Sequence, residues 1–127
     1  MKTMLPLLAA AAMLAAPAAI ARLPGRVAPA PADCPLTIAF ASYGAGIDRS
    51  SVEAVDRLLR RDRAVRAVTR HHWGREGEVT YCVRTRSAAD AGRLFRSIRA
   101  LLPARPRGPV ALSARSGLRY ETPPPRH

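Results

Sequence analysis

The chain has 127 residues, of which 48% are hydrophobic and 5% aromatic, and it carries 21 Lys plus Arg against nine Asp plus Glu for a net charge of +12. That length leaves room for one small domain with a core of marginal size, not for two sizeable ones. The charge directs attention to polyanionic partners such as nucleic acid, an anionic membrane surface, lipopolysaccharide or an acidic protein.

In chain order, Met1-Lys2-Thr3 is followed by an apolar run from Met4 to Ala16, then Pro17 and the small residues up to Ala21. A charged start, a short apolar stretch and a small-x-small site form a secretory signal peptide over 1–21, too short to anchor the protein in a bilayer. Cleavage after Ala21 places the mature chain in an extracytoplasmic compartment, periplasmic or secreted. Removing Lys2 leaves twenty Arg against nine acids, a net charge of +11. Residues 22–33 are rich in Pro and Ala with almost nothing to bury, and are expected to form an extended tether.

The expected domain runs over 34–121. Leu36, Ile38 and Phe40 alternate with small residues and predict a strand reaching Tyr43. Gly44-Ala45-Gly46 turns the chain, and Ser50 with Glu53 three residues on reads as a capping box opening a helix to about Arg61. Its apolar side would be Val52, Val55, Leu58 and Leu59. A weaker strand over Val65 to Trp73 and a cleanly alternating one over Glu78 to Thr85 flank Gly74-Arg75-Glu76-Gly77, which predicts a hairpin. Ser87 caps a second helix, in which Ala91, Leu94, Phe95, Ile98, Leu101 and Leu102 recur at helical spacing until Pro103. A last strand over Pro109 to Ala114 follows, and Ser116-Gly117 allows a bend or tight hairpin into Leu118-Arg119-Tyr120-Glu121. Residues 122–127, with three consecutive prolines, read as a disordered tail.

The order strand, helix, strand, strand, helix, strand is the ferredoxin-like split βαβ pattern (βαββαβ), a four-stranded antiparallel sheet with two helices on one face. First and third strands are then neighbours, which brings Cys34 toward Cys82 and predicts a disulfide between them. Strict alternation, however, sets Cys34 on the Leu36 face and Cys82 on the face opposite Tyr81, unless Pro35 breaks the alternation where Cys34 leaves the strand.

Three groups of residues are candidate sites. Gly44, Gly46 and Arg49 lie between a strand and a helix start, where free amides and the helix dipole can hold an anion. Asp48 would repel that anion, and a tight turn with Asp48 or Ser50 as helix cap is the simpler use of the same residues. His71, His72 and Trp73 form the densest cluster of versatile side chains and are a candidate partner-contact surface. Adjacent strand residues point to opposite faces, so the two imidazoles cannot both grip one metal, and neither cysteine has a close His or Cys ligand spacing. No metal or cofactor is expected. For catalysis, His71 or His72 could act as base and Ser42, Ser50 or Ser113 as nucleophile, but no spacing sets a carboxylate behind a histidine.

The reading that results is a small exported non-catalytic accessory or binding domain of the cell envelope, with an envelope protein as partner. The alternative is a basic protein that binds nucleic acid or lipopolysaccharide. A third is a small hydrolase or metal-binding protein built on the His71/His72 region. Arginines scattered over helices, strands and loops imply only weak, non-specific polyanion binding.

Overall fold

The computed structural model describes residue 31 and residues 33–124. The expected signal peptide, most of the tether and residues 125–127 lie outside the described residues. Seven elements follow one another: β1 (Leu36–Phe40), α1 (Arg49–Arg61), β2 (Val65–His72), β3 (Val79–Thr85), α2 (Ala88–Leu101), β4 (Val110–Ala114) and β5 (Arg119–Glu121). The strands form one antiparallel sheet in the order β2-β3-β1-β4-β5.

The described residues thus form an α+β fold with two helices and five strands, where four strands were expected. The fifth exists because Gly117 takes φ +103°, a left-handed conformation that only glycine adopts freely. The Gly117 amide donates to the Ala114 carbonyl and the Ala114 amide to Leu118, closing a hairpin that lays β5 along β4. Thr122, expected in the tail, continues this edge: it is buried, its amide donates to the Val110 carbonyl, and its Oγ1 accepts from the Val110 amide at 3.0 Å.

Alternation along each strand sorts the sheet into two faces. Leu36, Ile38 and Phe40 of β1, Val79, Tyr81 and Val83 of β3, and Val110, Leu112 and Ala114 of β4 form one face. They pack with Val55 and Leu59 of α1 and with Ala91, Leu94, Phe95 and Ile98 of α2 in a single core cluster. Phe40 and Tyr81 meet edge to face with centroids 5.6 Å apart, the geometry aromatic quadrupoles favour. Burying about ten such side chains supplies on the order of 1.5–3 kcal/mol each before chain entropy is set against it.

The opposite face carries Thr37, Ala39, Thr80, Cys82, Arg84, Ala111 and Ser113, of which Ala39, Thr80 and Cys82 are buried. Among the described residues neither helix packs on it, and in that sense it is the uncovered face. Cys34 and Cys82 form a disulfide with Cα atoms 5.7 Å apart. The face conflict is resolved at Pro35: the ladder of β1 begins at Leu36, and the chain before it turns over the uncovered face, with the Cys34 amide donating to the Pro31 carbonyl. Asp33, at the end of the expected tether, binds Arg84 at 2.9 Å, and its carbonyl accepts from Arg115.

Both helix starts carry side-chain caps, but not the same way. At α2, Ser87 Oγ accepts the Asp90 amide at 3.1 Å and donates to the Asp90 carboxylate at 2.9 Å. At α1 the cap is Asp48, and Ser50 lies inside the first turn. Asp48 displaces Ser50 because its carboxylate gathers three donors: the Ser51 amide at 3.0 Å, the Ser50 hydroxyl at 2.7 Å and the Arg107 amide at 2.7 Å. A charged acceptor makes stronger bonds than a hydroxyl can.

Candidate functional site

The loop from β1 to α1 spends its polar groups on itself. Ser42 Oγ accepts the amides of Gly44 and Gly46 at 2.8 and 2.9 Å, with both glycines at positive φ. These donors and the Ser51 amide are those an anion would have used. Asp48 supplies the negative charge at the helix start instead, with only 8% of its surface exposed. Burial pushes its carboxyl up, but the hydrogen bonds from Ser50, Arg107 and Ser51 outweigh that and hold it below the usual carboxylate value. Arg49 is exposed beside this cap. The Gly44 and Gly46 amides are thus taken by Ser42, and the helix start beside Arg49 by the Asp48 carboxylate.

The hairpin residues separate as a strand requires. His71 lies opposite Thr80 on the uncovered face and His72 opposite Val79 on the helix side, and both are exposed. Trp73 is half-buried, and its indole Nε1–H donates to Thr80 Oγ1 at 3.0 Å, so it covers Thr80 on the uncovered face. Among the described residues no group of three or more His, Cys, Asp or Glu is placed to hold a metal ion. Ser50 donates to Asp48, Ser42 braces its own loop, and Ser113 sits on the uncovered face away from the hairpin tip.

A cluster invisible to motif reading joins β2 to α1. Asp56 accepts from Arg70 at 3.1 Å and from the Tyr81 hydroxyl at 2.9 Å, while the Arg70 guanidinium stacks over the Tyr81 ring at 4.9 Å. Burial raises the Tyr81 phenol above its ordinary value. Only the β2–β3 register, which sets Arg70 opposite Tyr81, could have revealed this triad.

The uncovered face also holds a shallow concavity of about 440 Å³ lined by Thr37, Ala39, Ala111, Ser113, Arg119 and Glu121 among others. Its walls mix the small side chains of β1 and β4 with Leu112 and Tyr120 and the charged pair Arg119 and Glu121, and are more apolar than polar. The large exposed hydrophobic residues among the described ones, Tyr43 and Leu118, lie in the β1–α1 and β4–β5 connections, off this face. The basic residues are unevenly placed. Arg70, Arg84, Arg86 and Arg93 are engaged with Asp56, Asp33, Asp90 and Asp62. Arg57, Arg60, Arg61, Arg63 and Arg66 are exposed where α1 ends and β2 begins, with no ion-pair partner among the described residues. Asp62 in their midst is held by Arg93 at 2.8 Å, which lowers its carboxyl pKa.

Comparison with protein-family models, with curated proteins and with solved structures gave no match. Among the described residues no helix is long and apolar enough to cross a membrane.

Proposed function

We propose that this chain is a small exported, non-catalytic binding domain of the cell envelope whose partner is a protein. The Cys34–Cys82 disulfide carries the reading, since a bridge of this kind persists in an oxidising, extracytoplasmic compartment. The secretory pattern of residues 1–21 agrees with it. The hydroxyls and imidazoles that a hydrolase would have to bring together are instead used separately, for loop bracing, capping and surface. In fold terms we read β2-β3-β1-β4 as a ferredoxin-like split βαβ core with β5 added at its edge; the strand order and antiparallel pairings support this.

A second reading, a polyanion binder, is favoured by one observation: the five exposed arginines between Arg57 and Arg66. Binding through such charges alone falls steeply with salt, because its free energy comes from released counterions. The deciding experiment presents the mature chain to envelope extract at physiological and high salt, and titrates it in parallel with a DNA duplex and with lipopolysaccharide. Protein capture that survives high salt is expected, with polyanion binding lost. Selective duplex or lipopolysaccharide binding that persists near 0.15 M salt, where screening acts over about 8 Å, would reverse the order of the two readings.

A further inference from the structure

Among the described residues the large exposed hydrophobic side chains, Tyr43 and Leu118, lie in connections, so the sheet face gives the proposed protein contact no exposed large side chain as an anchor. What the sheet does offer is an edge. β5 ends one side with three residues, whereas β2 ends the other with eight. The Trp73 amide donates across the hairpin to the Glu78 carbonyl, so Trp73 and Glu78 form a hydrogen-bonded pair. Antiparallel pairing alternates hydrogen-bonded and non-bonded pairs. Counting back through the unbroken register from His72 to Val68, the backbone N–H and C=O groups of Val68, Arg70 and His72 point away from β3.

Charge selects the occupant of that edge. β2 contains Arg66, Arg70, His71 and His72 and no acidic residue, and the unpaired arginines of the α1 terminus stand at its beginning. A second copy of β2 would set arginine against arginine, which like-charge repulsion across a strand pair opposes. We infer that the β2 edge is a docking strand for an extended acidic segment of a partner protein, which adds antiparallel or parallel to β2 and sets its carboxylates among Arg57, Arg60, Arg63 and Arg66. Main-chain hydrogen bonds to Val68, Arg70 and His72 would supply affinity, and the arginines register and sign preference. This inference rests on the protein-binding reading and names the chemistry of its partner.

The test titrates the mature, disulfide-bonded chain with a short capped peptide alternating Glu with Val and Thr, with its Lys counterpart, and with a DNA duplex of matched charge. Expected is slowed amide exchange at Val68, Arg70 and His72 with the Glu peptide and none with the Lys peptide. His72→Pro removes one outward donor at an edge position that tolerates proline. It should weaken the Glu peptide about tenfold with the melting transition unchanged. Should that variant not fold, Arg66→Glu serves in its place, lowering affinity for the Glu peptide and raising it for the Lys peptide. Peptide binding without protection of the β2 amides, unaltered affinity in His72→Pro, or tighter binding of the duplex than of the Glu peptide would each overturn the inference. An envelope protein captured equally by the parent chain and by His72→Pro would overturn the edge assignment while leaving the protein-binding reading intact.

Discussion

A methyl group at position 108 would collide with the Ala41 carbonyl oxygen and come within 3.2 Å of the Gly46 carbonyl oxygen. Both obstacles are backbone, which cannot swing aside as a side chain can. Gly108→Ala should therefore destabilise the protein by about 1–3 kcal/mol, as overpacking does, measured by denaturant unfolding. The adjacent Arg107 amide is held by Asp48, so one corner ties together the β1–α1 loop, the α1 cap and the approach to β4. Because the Asp48 carboxyl is held below its ordinary value, the folded state binds its proton less readily than the unfolded state does. The stability it contributes is complete above about pH 4, the usual aspartate value, and is lost as pH falls through the lowered folded value. Asp62, lowered by its hydrogen bond from Arg93, acts in the same direction. Asp48→Asn keeps a capping side chain but removes the charge, so its melting temperature should vary less between pH 5 and 3 than that of the parent. Equal slopes would show that the cap carries no such linkage.

The elements differ in how much of each the sequence carried. α2 was legible because Ala91, Leu94, Phe95, Ile98 and Leu102 fall on one stripe and are buried in the core, with Leu101 only partly buried against it and Ser87 capping as expected. β3 was equally plain from the alternation of Val79, Tyr81 and Val83. The α1 cap was ambiguous, since Asp48 and Ser50 are both capping types, and what decides between them is an amide 59 residues away at Arg107. β5 holds only Arg119-Tyr120-Glu121, too short for an alternating pattern, and its existence rests on the Gly117 turn and the pairing of Tyr120 with Leu112. Among the candidate sites, the separation of His71 from His72 followed from strand geometry, whereas the Asp56–Arg70–Tyr81 cluster needed the sheet register. Phe95 measures the packing of α2 on the sheet: it is 3% exposed and shares the core with Phe40 and Leu59. Phe95→Ala should cost about 3–5 kcal/mol, enough to abolish cooperative unfolding in a domain of this size. An unchanged melting temperature would mean that α2 does not pack as described.

At the scale of the whole molecule, two features have to be reconciled: a small core and a surplus of like charge. A domain of about ninety residues commands roughly 5–13 kcal/mol of net stability, and repulsion among unpaired arginines works against even that. The Cys34–Cys82 bridge, with a sequence separation of 48, is worth about 4 kcal/mol in the chain-entropy description, a third or more of the total. It also fastens the segment before β1 over the uncovered face, where Asp33 meets Arg84 and Arg115. Both sulfur-bearing residues are at least 94% buried, so reductant reaches the bridge only when this strap opens. Replacing both cysteines by alanine should lower the melting temperature by roughly 15–30 °C, because about 1 kcal/mol moves a domain of this size by 4–8 °C. The parent chain held in reductant should converge on the same value, slowly, while a single Arg84→Ala change, which removes only the surface ion pair, should shift it by a few degrees at most. If the cysteine-free chain melted with the parent, the bridge would add nothing to the fold, and the strap would have to be held by its ion pair and hydrogen bonds instead.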